Sequence, residues 1–360
     1  LKRVRLGLIG CGVVGSGVLR VLHDRGGTLG SLELEASRIA VKHLSRPRPA
    51  YVPREKLTDD WRSVCVADDV DVVIEVMGGV DVAHEVVRTA LSAGKPVVTA
   101  NKALMAAHGP ALRALAEQHG VALRYEASVL GGVPVIHTLT TYFRANRVTA
   151  LRGIVNGTSN YILTQMGDRG TSFADALSEA QALGYAEPDP TSDVEGHDAF
   201  FKLQVLLQVL GVDTEPLRQE LPVPEEGEVH AAERPRAYLA VPREGISHLS
   251  ADDVRRAKLR GEKLKHVASA CWREDGVVEA TVRVESLAPS DPLYGIDGVE
   301  NALVITGDVV GTVTLTGPGA GALPTASAVL EDVVQLVAVP HAGNARVEDE
   351  LEWRVNSSRR

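Results

Sequence analysis

Six residues near the start of the chain constrain its fold more tightly than any other feature. Gly10-Cys-Gly-Val-Val-Gly15 spells G-x-G-x-x-G. Val4–Gly10 reads as a buried strand before it, and Val13 to about Arg25 reads as a helix after it. In that setting each glycine has a job. Gly10 permits the tight turn, Gly12 lets backbone approach a pyrophosphate, and Gly15 lets the helix pack close to the strand. The first turn, with Val13 and Val14, offers free N–H groups to phosphate oxygens. The motif is weak alone, but the strand before it and the helix after it are the context it requires.

The periodicity continues in the same manner. Strands are expected at Ile39–Leu44, Asp71–Val76, Pro96–Thr99 and Val121–Glu126. Helices are expected at Asp81–Ala93 and about Pro110–His119. Strands alternating with helices imply a doubly wound parallel sheet, a Rossmann-like α/β domain over residues 1–130. After Gly131 the pattern changes to α+β with a mixed or antiparallel sheet, a substrate and oligomerisation domain over 131–318. It holds a strand at Val148–Val155 and helices at Ser159–Asp168, Phe173–Leu183 and Glu195–Leu210. Shorter strands follow at Arg236–Val241, Val277–Glu285, Ala302–Thr306 and Val309–Thr316. Glu215–Pro235 reads as an exposed loop. A helix over about Ala326–Val339, within 319–340, is expected to return to the nucleotide domain, and 341–360 forms a tail.

Composition removes several classes of function. The net charge of −9 comes with no basic stripe, which argues against nucleic acid as a partner. No run approaches the ~18 apolar residues that span a membrane. Lys2, Arg3 and Arg5 precede an apolar run ending at Cys11, but about five residues are too few for a signal core. Cys11, Cys65 and Cys271 are far apart and odd in number, which fits a reducing cytoplasm rather than a disulfide framework.

The chemistry concentrates in Leu183-Gly-Tyr-Ala-Glu-Pro-Asp-Pro-Thr-Ser-Asp-Val-Glu-Gly-His-Asp-Ala-Phe-Phe-Lys202. Glu187, Asp189, Asp193, Glu195 and Asp198 crowd a loop, and Lys202 follows Asp198 by one helical turn. Carboxylates can grip a substrate ammonium, and a lysine within hydrogen-bond reach can donate a proton to a nascent alkoxide. The bland reading of Asp198 and Lys202 is a surface i,i+4 pair worth ~0.3–0.5 kcal/mol. Phe200, Phe201 and the apolar run after Lys202 argue that this helix is buried, where an idle charge is costly. Oxidation in the reverse direction needs the neutral amine and is expected to run best at alkaline pH.

Lys102, just past the strand at Pro96–Thr99, stands where doubly wound folds line their ligand crevice. Tyr125–Ile136, with two glycines and a proline, exposes carbonyls that could hold a hard cation with Glu126, although on the residues alone a plain domain crossover is the better explanation. Asn156-Gly157 reads as a turn, with Thr158 or Ser159 capping the next helix. The segment after Ile39 has no acidic residue before Glu55 but carries Lys42, Ser45, Arg46 and Arg48, which suits the 2′-phosphate of NADP, with NAD possible, although a solvated basic loop explains these residues nearly as well.

Taken together these motifs resemble homoserine dehydrogenase. They comprise the glycine loop, Thr99–Lys102, Glu126–Pro134, Asn156–Asn160, Gly184–Lys202 and Gly317–Thr325, in the family's order over about Val4–Val339. The resemblance implies reversible NAD(P)H-dependent reduction of aspartate 4-semialdehyde to homoserine, on the way to threonine, methionine and isoleucine. It implies Lys202 as proton donor beside Asp198, with Glu187, Asp193, Thr158 and Lys102 toward the substrate. It implies Lys102, Gly184, Gly319 and Gly321 toward the cofactor. It also implies a monovalent cation such as Na+ or K+ on Glu126 and the carbonyls of Val129, Gly131 and Val133, and a homodimer or homotetramer. The ACT and kinase domains of longer members are not expected in this chain. Two rivals remain. An aspartate-semialdehyde dehydrogenase would need a cysteine nucleophile, and a nicotinamide-sensing regulatory protein would leave the Glu187–Lys202 cluster without a purpose.

Overall fold

The computed structural model describes residues 1–214, 237–238 and 243–338 and divides into two compact units. Leu1–Pro134 and the described residues from Ala320 onward form one, and Val135–Gly319 forms the other. The first runs β1 (Lys2–Ile9), α1 (Val13–Asp24), β2 (Thr28–Leu29), β3 (Leu32–Ala40), β4 (Leu57–Thr58), α2 (Trp61–Val66), β5 (Val72–Glu75), α3 (Asp81–Ser92), β6 (Val97–Thr99), α4 (Lys102–Gln118) and β7 (Leu123–Arg124). The second adds α5 (Val135–Thr141), β8 (Val148–Ile154), α6 (Gly157–Arg169), α7 (Phe173–Ala182), α8 (Thr191–Val194), α9 (His197–Val209), β9 (Ala237–Tyr238), α10 (Ala251–Leu259), β10 (Lys263–Trp272), β11 (Val278–Leu287), β12 (Glu300–Gly307) and β13 (Gly311–Pro318). The last described helix, α11 (Ala322–Ala338), belongs to the first unit.

Continuous burial of Val72, Val73, Ile74 and Glu75 marks β5 as an inner strand of a parallel sheet covered on both faces. The order is β2-β3-β1-β5-β6-β7, with β4 beside β3, and every pairing is parallel except that of β2 with β3. The chain steps from β1 to β3 on one side, then crosses to β5 on the other. The order therefore reverses between β1 and β5, and ligands of such sheets bind at the strand ends at that switch point. Ile9 pairs with Glu75 there, and Glu75 with Thr99. Helix α1 packs on α11, where a Cβ on Gly17 would stand 2.4 Å from the Ala322 carbonyl oxygen.

The second sheet runs β13-β12-β8-β10-β11-β9, antiparallel except for β11 with β9. It is the mixed sheet expected. Strand β8 lies between β10 and β12, and its C-terminal end feeds the start of α6. Buried Lys265 fixes that helix: its Nζ donates to Asn160 Oδ1 at 3.0 Å and pairs with Asp297 at 2.8 Å.

Several expected boundaries move for physical reasons. The strand placed at Ile39–Leu44 is β3, Leu32–Ala40. Leu32, Leu34 and Ala36 point inward while Glu33 is exposed and Glu35 reaches Lys56 at 2.7 Å, so charges mask the alternation. The helix placed from Pro110 begins at Lys102, because Asn101 Oδ1 accepts the Leu104 N–H at 3.0 Å and caps it. Its buried face of Leu104, Met105, Leu112 and Ala116 carries it through the proline. The helix placed over Glu195–Leu210 breaks at Gly196, whose φ is +75° and whose Cβ would stand 2.9 Å from the Glu244 carbonyl oxygen. Helices α2, α5 and α10 and strand β10 were not anticipated. The expected loop Glu215–Pro235, most of the strand Arg236–Val241 and the tail lie outside the described residues. Among the described residues no helix is long and apolar enough to cross a membrane.

Candidate active site

The loop after β1 is shaped by what its glycines exclude. Gly10 takes φ +104°, and a Cβ there would stand 2.7 Å from the Val76 carbonyl oxygen. A Cβ on Gly15 would lie 2.2 Å from the Gly10 carbonyl oxygen, so α1 starts this close to β1 only without a side chain. Gly12 differs, since a Cβ there would meet nothing within 4 Å. Val13 is 70% exposed, Val14 packs against the core, and no side chain caps the helix. An open backbone at an uncapped helix N-terminus fits the phosphates of a dinucleotide.

At the end of β3 the residues that follow are Val41, Lys42 and His43, without a carboxylate. Lys42, Ser45 and Arg46 are exposed. Arg48 is not available in the same way. Its guanidinium donates to the carbonyls of His43 at 2.8 Å, Arg46 at 2.9 Å and Leu44 at 3.3 Å, so it holds the loop.

Lys102 opens α4 beyond the end of β6. Farther along this unit, Val129, Gly131 and Val133 are buried, and among the described residues none of their carbonyls accepts a hydrogen bond. Leu130 between them takes φ +57°. Buried carbonyls are nearly always satisfied, so three orphans in one strained loop fit an oxygen-liganded cation. Sequence reasoning missed Asp332 of α11. It is buried, and its Oδ2 accepts the Glu126 N–H at 2.9 Å. Burial and the neighbouring Glu126 charge push its carboxyl up to about 7.

In the second unit β8 ends at Ile154, and Asn156 then organises everything polar around it. Its Oδ1 accepts the Ser159 N–H at 2.8 Å, so Asn156, not Thr158 or Ser159, caps α6. Its Nδ2 donates to Asp193 Oδ1 and to Asp198 Oδ2, both at 2.8 Å. Asp198, on the first turn of α9, pairs through Oδ2 with Lys202 Nζ at 2.8 Å. Lys202 Nζ also donates to the Val155 carbonyl at 2.6 Å. The Lys202 side chain is 10% exposed, and the third N–H of its ammonium has no partner among the described residues. This is a buried, held cation with one donor left over, not a solvated surface pair.

Thr158 is spent differently, since its hydroxyl donates to the Tyr185 carbonyl at 2.7 Å and ties down the acidic loop. Glu187, two residues on, has an exposed side chain. Gly184 ends the turn after α7 with φ +78°, and Gly321 takes φ +119° just ahead of α11. Gly319 lies so near Asn301 that a Cβ would overlap its amide. Behind Asp198 stands His266, which was not anticipated. Its Nε2 lies 2.9 Å from the Glu244 carbonyl oxygen, and burial pushes its pKa down against the opposing charge of Asp198. Of the predicted residues, then, Asp193, Asp198 and Lys202 form one network, joined by Asn156, which the sequence places in a turn and in one of the family's motifs without giving it a role of its own. Among the described residues no group of three His, Cys, Asp or Glu side chains could hold a metal.

A switch-point glycine loop in one unit and a carboxylate-buttressed lysine in the other define an NAD(P)-dependent oxidoreductase of small molecules. Family models agree, "Homoserine dehydrogenase, NAD binding domain" matching residues 10–126 and "Homoserine dehydrogenase" matching 134–224 and 228–334. The chain belongs to the homoserine dehydrogenase family. It is 40% identical to the homoserine dehydrogenase of Pseudomonas aeruginosa over 341 residues, covering 94% of this chain and 73% of the relative. It is 39% identical to that of Corynebacterium glutamicum over 338 residues, covering 92% and 71%. Among solved structures, the homoserine dehydrogenase of Thiobacillus denitrificans superposes with a TM-score of 0.81 at 38% identity, covering 93% of this chain and 73% of that one. A hyperthermophilic archaeal homoserine dehydrogenase in complex with NADPH superposes at 0.73 with 25% identity, covering 95% and 100%. The sensing alternative is not favoured, since both units match models of the enzyme.

Proposed function

We propose that this chain reduces aspartate 4-semialdehyde to homoserine, reversibly, with Lys202 as the proton donor. The supporting observation is the Lys202 ammonium, buried, fixed by Asp198 and the Val155 carbonyl, and left with one N–H to give. When bound, the nicotinamide cofactor supplies the hydride that reaches the aldehyde carbon. Lys202 passes a proton to the carbonyl oxygen as charge develops there, and its neutral amine is reprotonated from solvent. Asp198 keeps the amine in place, and Asn156 keeps Asp198 and Asp193 in place. Asp193, with Glu187 and Asp198, holds the substrate's ammonium and hydroxyl, and Thr158 supports that loop. Lys102 acts on the substrate and cofactor from the first turn of α4, and Gly184, Gly319 and Gly321 serve the cofactor.

The preferred cofactor is NADP, supported by Lys42, Ser45 and Arg46 and by the missing carboxylate after β3. Glu126 and the carbonyls of Val129, Gly131 and Val133 hold Na+ or K+, with Asp332 behind them. The enzyme acts as a homodimer or homotetramer in the cytoplasm, a compartment that suits its free cysteines. The direct test is oxidation of NADPH and of NADH by purified protein with aspartate 4-semialdehyde. Turnover supports the reading and the ratio of rates identifies the cofactor, whereas NADPH binding without consumption of the aldehyde defeats it.

Asn156→Ala is expected to cost about 1 kcal/mol of stability through the lost helix cap. It should also raise the substrate KM roughly tenfold, the scale of one hydrogen bond to a charged group. Denaturant melts and steady-state kinetics check both. An unchanged KM would show that the bridge to Asp193 and Asp198 has no bearing on the substrate.

A further inference from the structure

Glu75 is fully buried at the end of β5, at the switch point, and has no ion-pair partner among the described residues. Neutral donors surround it instead. Its Oε1 accepts the Met77 N–H at 2.8 Å, and its Oε2 accepts the Thr99 hydroxyl at 2.6 Å. Gly78 and Asn101 also favour the ionised form. Thr99 Oγ1 itself accepts the Asn101 N–H at 3.0 Å, so its own proton is directed toward Glu75. The Met77 N–H can only donate, so Oε1 acts as an acceptor, and the Thr99 hydroxyl donates to Oε2. Burial pushes the Glu75 carboxyl up, and the donors from Thr99 and Met77 oppose that shift by favouring the ionised form.

The network reaches further. Asn101 Nδ2 donates to the Gly79 carbonyl at 2.6 Å, and Asn101 Oδ1 caps α4, whose first residue is Lys102. One carboxylate therefore fixes both strand-end loops, Met77–Gly79 and Thr99–Lys102. An isolated buried charge is costly unless it serves a purpose. The cation that the reaction itself brings to such a crevice is the oxidised nicotinamide ring. We infer that Glu75 is a positioning residue of the cofactor site, whose fixed negative charge favours the oxidised over the reduced dinucleotide while its hydrogen bonds set the loop that carries Lys102. This rests on the first unit being the dinucleotide-binding unit.

The test is Glu75→Gln, which keeps the size and removes the charge. Dissociation constants for NADPH, by fluorescence, and for NADP+, by competition, are measured on the whole protein without substrate. The expected result is that NADP+ is weakened about tenfold more than NADPH, the scale of one fixed charge acting through a protein-like dielectric. Equal losses, or none, overturn the inference. Glu75→Asp keeps the charge and is expected to restore the wild-type ratio of the two constants even where both rise. A ratio shifted toward NADPH in that variant also overturns it, and this holds if the Gln variant does not fold. Should the protein prefer NAD, the NAD+ and NADH pair gives the same reading. Because no aldehyde is present, failure of the proposed reaction shows only in the turnover assay and leaves this measurement intact.

Discussion

Lys202→Met is expected to lower turnover between about a hundredfold and ten-thousandfold, the usual worth of a positioned general acid, with NADPH binding kept. Methionine fills the same space without a donor. The change also leaves Asp198 without its cation, and breaking a buried pair costs roughly 3–5 kcal/mol when the remaining charge is left alone. Here it is not alone, because Asn156 Nδ2 still donates to the same Asp198 oxygen. The stability loss should therefore fall below that range, and the folded fraction can be followed by calorimetry. Two readouts then separate chemistry from folding. Lost turnover with an unchanged NADPH dissociation constant assigns the proton to Lys202. Near-normal turnover would reduce the pair to structure, and equal loss of turnover and cofactor binding would place the damage in the fold.

Much of this site could be read from the sequence because its signals are local. The glycine loop is six residues long, and the strand and helix that give it meaning are its immediate neighbours. Asp198 and Lys202 are four residues apart on one helix, so their contact follows from helical geometry alone. Asn156 was missed because its two carboxylate partners lie 37 and 42 positions away, and nothing in an Asn-Gly pair announces such a bridge. Glu75 was hidden inside the strand expected at Asp71–Val76, where nothing in the apolar run shows that its carboxylate is wholly buried. Asp332 is 206 positions from the backbone it holds and sits in the helix expected over about Ala326–Val339, where nothing local marks it as buried. Arg48 was assigned by charge, and only the fold reveals that its guanidinium is turned back on three carbonyls. In each case the residue type was visible and the partner was not.

Gly12→Ala and Gly15→Ala separate the two duties of the phosphate loop. At Gly12 the φ of −86° is open to any residue and a Cβ would meet no protein atom within 4 Å. The alanine variant should therefore fold with a stability within about 0.5 kcal/mol of wild type, as surface substitutions do. Its methyl group projects into the open side of the loop. Losing one or two charge-assisted hydrogen bonds from backbone to phosphate should weaken NADPH binding about a hundredfold. At Gly15 the added carbon would overlap the Gly10 carbonyl oxygen, and rigid backbone offers no easy escape. That variant should lose roughly 1–3 kcal/mol of stability, as overpacked sites do, and bind NADPH poorly because the helix can no longer start where it does. Thermal melts and NADPH titrations on the same samples decide the matter. If the Gly12 variant is as stable as wild type and binds NADPH as tightly, this loop is not where the pyrophosphate rests. If both variants lose stability alike, the open space at Gly12 is not a ligand cradle but part of the packing that joins α1 to the sheet.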